Sequence, residues 1–224
     1  RSSDEVATRR QFAALERARA ASGDRLAVLR DILLGEEPFS FRPVPDFVAL
    51  DKSLNCSQQD AVQFALSATD VALIHGPPGT GKTTAVIEVI RQAVRRGEKV
   101  VACAPSNVAV DNMLERLLAA GERAVRLGHP ARVLPALREH TLDLLVEQHE
   151  DVRLAHKLVQ EAFALQRKAE RFTRAKPKSG ARKEMRQEAR QLLSDARRLE
   201  NQAVESILDQ ADILCVTTTG LDSE

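Results

Sequence analysis

The run His75-Gly76-Pro77-Pro78-Gly79-Thr80-Gly81-Lys82-Thr83-Thr84 satisfies the pattern G-x-x-x-x-G-K-[ST] at every fixed position. No other stretch constrains the fold as much, because this pattern holds phosphate only between a buried strand and a helix. Its glycines let the backbone curl tightly, so that successive N–H groups form a concave anion nest. The helix that follows turns the positive end of its dipole toward the same point. The flanks suit both elements. Val71-Ala72-Leu73-Ile74 is a short apolar run, and between Lys82 and Arg96 the residues Ala85, Val86, Val89, Ile90, Ala93 and Val94 recur at helical spacing before Gly97. The pattern predicts a nucleoside triphosphate site in an α/β fold. Gly76, Pro77, Pro78, Gly79, Thr80, Gly81, Lys82, Thr83 and Thr84 wrap the phosphates, with Lys82 reaching the β- and γ-phosphates and the Thr83 hydroxyl facing Mg²⁺.

The order of elements extends this reading. Asp4 to Ala20 and Asp24 to Leu34 read as helices, separated at Ser22-Gly23 and ended by Gly35; their apolar residues, among them Phe12, Leu15, Ile32 and Leu33, need a partner surface. Glu36 to Lys52, with Pro38, Pro43 and Pro45, reads as an irregular linker. Ser57-Gln58-Gln59-Asp60 resembles a capping box opening a helix through about Leu66. After the glycine-rich loop and its helix come a strand (Val100 to Ala104), a helix (Val108 to Ala120), a short strand (Ala124 to Leu127) and, much later, a strand at Ile213 to Thr217. Alternation of this kind implies a parallel sheet with helices on both faces. The unbroken apolar run Val100-Val101-Ala102-Cys103-Ala104 predicts a strand buried on both sides.

Between His140 and Gln210 the period changes. Leu154, Leu158, Ala162, Leu165, Ala169 and Phe172 alternate by three and four, as do Met185, Ala189, Leu192, Ala196, Leu199 and Ala203, with a break at Lys176-Pro177-Lys178-Ser179-Gly180. This predicts an antiparallel helical hairpin inserted into the α/β domain. The chain then divides into a helical stalk and linker (1–53), a first part of the α/β domain (54–139), the helical insertion (140–210) and a returning strand (211–224).

Composition adds limits. A formal charge of +1 announces no global field for nucleic acid or membrane, so basic surface must be local. Cys56, Cys103 and Cys215 lack paired spacing, which argues against a disulfide framework or zinc site and makes a reducing cytoplasm the simplest compartment. No apolar run approaches the roughly 20 residues of a membrane span. Without Trp or Tyr, base-stacking platforms are scarce. The first residue is Arg rather than Met, which suggests a fragment or a processed chain.

Several blocks in order resemble the superfamily 1 helicases, in the group that holds the nonsense-mediated-decay helicase and the immunoglobulin-mu-binding-protein helicase, and the similarity to the latter is close. Leu54-Asn55-Cys56-Ser57-Gln58 is similar to the family's Q motif, which implies that Gln58 reads adenine. The loop carries the double proline of the family's motif I. Ala104 to Asn112 resembles motif Ia, implying that Ser106 and Asn107 hold the nucleic-acid backbone, and Val216 to Gly220 resembles motif Ic, implying the same for Thr217, Thr218 and Thr219. Arg126-Leu127-Gly128-His129-Pro130-Ala131-Arg132 points to the immunoglobulin-mu-binding branch. The resemblance implies a first RecA-like domain, ATP with Mg²⁺ as cofactors, Lys82 and Thr83 in the catalytic role, single-stranded DNA or RNA as partner, and a second RecA-like domain in the full-length protein. The family's acidic motif II and its arginine fingers have no counterpart up to Glu224. The isolated chain is therefore expected to bind nucleotide weakly and to hydrolyse it poorly.

Other readings stay open beside this one. A non-catalytic nucleotide or nucleic-acid module shares the same motifs, and a small-molecule P-loop kinase could use the hairpin as a lid. Leu144-Leu145-Val146-Glu147 could imitate a strand ending in a catalytic acid, but its flanking Asp143, Gln148 and Glu150 suit an exposed helix. The basic residues about the hairpin tip, Arg167 through Arg190, suit either a phosphate track or a solvated face. His129 has no second ligand at metal spacing and reads as a loop residue. Ser106 and Asn107 also suit helix N-caps, a role compatible with phosphate binding at the same helix end.

Overall fold

The computed structural model describes residues 3–43, 47–171 and 180–221. The chain forms two compact units, Arg1–Ala124 with Asp212–Glu224, and Val125–Ala211.

The first unit opens with α1 (Ser3–Ala20) and α2 (Arg25–Leu34). Asp24 caps α2 by accepting from Ala27 N, and Gly35 closes it in the left-handed conformation, returning its N–H to Asp31 and Ile32 carbonyls. Arg30 Nη1 donates to the carbonyls of Ala18 (3.0 Å) and Ala21 (2.8 Å), which satisfies acceptors left over at the end of α1. Ala27 and Ile32 are buried, whereas Phe12 and Leu15, expected to find a partner surface, remain 64% and 65% exposed. α3 (Cys56–Ser67) is capped by Asn55 rather than Ser57: Asn55 Oδ1 accepts from Gln58 N, and Gln58 Oε1 accepts from Asn55 N. The capping box therefore lies two residues upstream of the expected one.

Two expectations about strands change. Val71 to Ile74 is not a strand, although it leads into the glycine-rich loop as anticipated. A strand is defined by its ladder, and among the described residues none pairs with this segment; Leu73 is 78% exposed. Strand β1 (Val100–Ala104) forms where expected, but it alternates, with Ala102 and Ala104 buried and Val101 53% exposed. The strand buried on both faces is instead β3 (Ile213–Thr217), where Ile213, Cys215 and Val216 are all inaccessible. β3 is the middle strand of a three-stranded sheet of order β1-β3-β2, and it pairs in parallel with β1 from Val100↔Ile213 to Ala104↔Thr217. A middle strand gains covering on both sides that an outer strand does not. The short β2 (Ala124–Arg126) enters the sheet just after Arg123, whose carbonyl accepts from Asp212 N and whose guanidinium meets the Asp212 carboxylate at 2.8 Å.

α4 (Lys82–Arg95) and α5 (Asn107–Ala119) pack against β1, and α5 also packs against β3. α5 buries Val110, Met113, Leu114 and Leu117, the spacing of one helical face, whereas α4 buries Ala85, Ile87 and Ile90 on more than one side of the helix. The class is thus the expected α/β fold with a parallel sheet.

The second unit holds α6 (Leu142–Gln148), α7 (Glu150–Arg171) and α8 (Ala181–Gln210). α7 and α8 pack along their length around two alanine series seven residues apart, Ala155, Ala162 and Ala169 against Ala189, Ala196 and Ala203, all buried. Alanine at this repeat lets two helix backbones approach closely. Leu154, assigned to the seam from sequence, is exposed, and its neighbour Ala155 takes the position. Phe172 and the break at Lys176 to Ser179 lie outside the described residues. Leu144 to Glu147 is helical, within α6, and Glu147 is exposed; both features set it apart from a strand ending in an acid. Arg126 is fully buried and donates to Leu127 O, a packed role rather than a surface one.

Candidate nucleotide and nucleic-acid sites

The glycine-rich loop owes its shape to two residues that only glycine occupies comfortably. Gly79 (φ +84°) and Gly81 (φ +80°) are left-handed, and the second turns the chain directly into α4 at Lys82. A Cβ on Gly81 would also collide with Gln58 Nε2, so the same glycine admits that side chain to the loop. Lys82 Nζ donates to Gly76 O at 2.6 Å and Pro77 O at 2.8 Å, and Thr80 Oγ1 donates to Pro77 O at 2.9 Å. Gln58 Nε2 donates to Thr80 O at 3.1 Å. One amide side chain therefore joins the amino end of α3 to the loop.

Two cavities flank Lys82. One of about 400 Å³ is lined by Gln58, His75, Gly76, Pro77 and Thr80. The other, of about 610 Å³, is lined by Thr83, Cys103, Asn112, Glu115 and Arg116. Cys103 is exposed, and the partial desolvation of its thiol in this cavity raises its pKa from the ordinary value. Arg116 Nη1 reaches Thr84 Oγ1 at 3.4 Å. Arg116 was missed from sequence, where it is one more charged residue on an amphipathic helix; only packing brings it beside the loop. Among the described residues no cluster of His, Cys, Asp or Glu could hold a metal ion. The exposed Thr83 hydroxyl beside Lys82 fits a magnesium ion held chiefly by phosphate oxygens and water, not an all-protein cage.

A second locus lies at the carboxyl ends of β1 and β3. Ser106 caps α5 by accepting from Ala109 N at 3.2 Å, and Asn107 is the first residue of that helix. Thr218 N donates to Ala104 O at 3.1 Å, and Gly220 N to Thr217 O at 2.8 Å. Ala104 and Thr217 are partners in register, so the segments carrying Ser106, Asn107, Thr218 and Thr219 leave the sheet side by side. The carboxyl edge of a parallel sheet is the usual ligand edge of such folds. Arg10 Nη1 donates to Thr219 O at 2.6 Å, and Arg10, Gln11, Arg17, Thr218 and Thr219 line a groove of about 470 Å³. Arg10 and Arg17 carry no sequence signal beyond their charge.

Elsewhere, His129 Nδ1 accepts from Ala131 N at 3.1 Å, capping a short 3-10 turn at Pro130–Arg132, as its loop reading anticipated. Arg167, Lys168, Lys183, Arg186 and Arg190 are exposed on α7 and α8, whereas Arg174, Lys176 and Lys178 lie outside the described residues. Cys56, Cys103 and Cys215 are free thiols. Among the described residues no helix is long and apolar enough to cross a membrane.

A parallel α/β sheet whose helix α4 springs from a left-handed glycine loop, with lysine and threonine as its first residues, defines a P-loop nucleotide-binding domain. The chain belongs to the AAA domain family, whose model matches residues 53–224. It is 37% identical over 203 residues to DNA-binding protein SMUBP-2 of Mesocricetus auratus, covering 91% of this chain and 20% of that protein. It is 36% identical over 181 residues to the DNA polymerase alpha-associated DNA helicase A of Schizosaccharomyces pombe (80% and 27%). An uncharacterized ATP-dependent helicase of Methanocaldococcus jannaschii is 39% identical over 165 residues (71% and 24%). The chain spans about a fifth to a quarter of the length of these curated relatives.

Proposed function

We propose that this chain is the ATP-binding part of a superfamily 1 helicase motor that moves on single-stranded DNA or RNA, with its second RecA-like domain elsewhere in the full-length protein. The observation that carries the reading is the state of the Gln58 amide. Its Oε1 and Nε2 each make one hydrogen bond within the protein. An amide has two acceptor and two donor positions, so one of each remains. Adenine offers the complementary pair, the N6–H donor and the N7 acceptor, whereas guanine offers two acceptors along the same edge. Gln58 thus suits ATP, and the phosphates would replace loop carbonyls as partners of Lys82 Nζ. Lys82 then neutralises charge developing on the γ-phosphoryl group. Thr83 is the residue that would hold Mg²⁺, which supplies further charge neutralisation when bound.

Ser106, Asn107 and Thr217 to Thr219 grip the backbone of one strand, and Arg10 adds a cation at the same edge. The relatives named as helicases and as a DNA-binding protein support this reading. Free thiols are consistent with a reducing compartment such as the cytoplasm.

The test is an ATPase assay with and without a single-stranded oligonucleotide, with Lys82→Ala as control. Turnover stimulated by the strand supports the motor. Binding without turnover supports a non-catalytic module, and turnover that needs a small acceptor instead supports a kinase. Activity surviving Lys82→Ala would not come from this loop.

A further inference from the structure

Glu88 is 1% exposed on α4, a carboxylate buried on the helix that also buries Ala85, Ile87 and Ile90. Its Oε1 accepts from Leu50 N at 2.7 Å and Gln92 Nε2 at 2.8 Å; its Oε2 accepts from Asp51 N at 3.1 Å, with Arg91 Nη1 at 3.8 Å. Burying this group is unfavourable without such partners. Two of the partners are backbone donors of the segment that leads into α3. From Asp51 the connection continues: Asp51 Oδ1 accepts from Ser53 N at 2.9 Å and from Ser53 Oγ at 2.6 Å, and Leu54 N donates to Asp51 O at 3.3 Å. Asn55 follows and shares its capping box with Gln58, which donates to Thr80 O in the glycine-rich loop. That loop opens α4, the helix that carries Glu88 six residues beyond Lys82. The bonds thus close a ring through α4, the 50–54 segment, Gln58 and the loop.

We propose that Glu88 is a positioning residue that fixes where Gln58 stands relative to the phosphate loop, and so sets the protein's preference for adenine. The inference rests on the reading in which Gln58 contacts the base. α4 is one continuous helix from Lys82 to Arg95, so Glu88 transmits the position of Lys82 and Thr83 to Leu50 and Asp51. Without its carboxylate, two backbone N–H groups lose their acceptor and the 50–54 segment re-seats to recover partners, carrying Asn55 and Gln58 with it.

The experiment measures dissociation constants of ATP, GTP and inorganic tripolyphosphate for the wild-type chain, Glu88→Ala and Glu88→Gln. The expected result is an ATP-over-GTP preference that falls by about tenfold in Glu88→Ala while tripolyphosphate affinity changes by less than about twofold. Glu88→Gln keeps one acceptor oxygen and should fall between; it also serves as the readout if Glu88→Ala does not fold. Parallel losses for ATP and tripolyphosphate would show that Glu88 only supports the fold around the phosphate loop, overturning the proposal. So would an unchanged preference in a folded variant. A wild-type chain that binds ATP no better than GTP would overturn the adenine reading of Gln58 itself, a result distinct from a preference that survives loss of Glu88.

Discussion

Alanine at Gly81 and alanine at Gly79 should be unequal in a way that isolates the contact between Gln58 and the loop. Both glycines have a left-handed backbone, φ +80° and +84°. A side chain in that conformation costs about 1–2 kcal/mol, so both variants should lose that much stability. Their surroundings differ. A Cβ on Gly79 meets nothing within 4 Å, whereas a Cβ on Gly81 overlaps Gln58 Nε2 and must displace it. Gly81→Ala therefore also forfeits the bond from Gln58 to Thr80 O, worth about 0.5–1.5 kcal/mol. The expected losses are about 1–2 kcal/mol for Gly79→Ala and about 1.5–3.5 kcal/mol for Gly81→Ala in urea unfolding. The same variants, titrated with ATP and with tripolyphosphate, should separate further. Gly79→Ala weakens both ligands in proportion, and Gly81→Ala weakens ATP more, because it moves Gln58, the residue proposed to read the base. Equal changes in the ratio of the two affinities would refute the claim that Gln58 is held by the loop at Gly81.

Three further outcomes follow from local chemistry. Ser106→Ala should lower stability by about 1 kcal/mol through loss of the α5 cap, and Ser106→Gly by only a few tenths, measured by chemical denaturation; equal losses would mean the serine does not act as a cap. Ala196→Leu places a large side chain in the alanine seam of α7 and α8, where both flanking alanines are buried, and should cost about 1–3 kcal/mol, read as a lower midpoint in thermal melting. Ser53 donates its hydroxyl and its N–H to Asp51, holding that carboxyl below its ordinary pKa. A depressed folded-state pKa contributes stability above the unfolded value and loses it as pH falls through the folded value. The stability gap between wild type and Ser53→Ala should accordingly be constant above the usual carboxylate range and shrink in acid. A gap that widens in acid would reverse the assigned cause.

Much of this arrangement was legible in the order of residues. Glycines at 79 and 81 must permit a left-handed backbone, and Gly35 and Asp24 end and begin a helix, because those conformations and caps depend on a few neighbouring atoms. α4, α5 and β3 fell where periodicity placed them. The errors cluster where the outcome depends on a partner distant in sequence. Val71 to Ile74 is apolar enough for a strand, but a ladder needs a second chain segment. Val100 to Ala104 and Ile213 to Thr217 are similarly apolar, and only position in the sheet decides which is covered on both faces. Ser57 and Asn55 both have capping side chains; packing chose Asn55, whose box leaves Gln58 within reach of Thr80.

The site divides in the same way. A short contiguous pattern was enough to mark the phosphate loop with its lysine and threonine, because local geometry sets it, whereas Ser106, Asn107 and Thr217 to Thr219 became candidates only through resemblance to a helicase family. Tertiary structure alone decided that Ser106 and Thr218 share one sheet edge, that Arg10 and Arg116 join the two loci, and that Glu88 ties α4 to the segment preceding Gln58. Such pairings depend on where separate elements pack, and a lone charged residue on an amphipathic helix carries no mark of the neighbour it will meet.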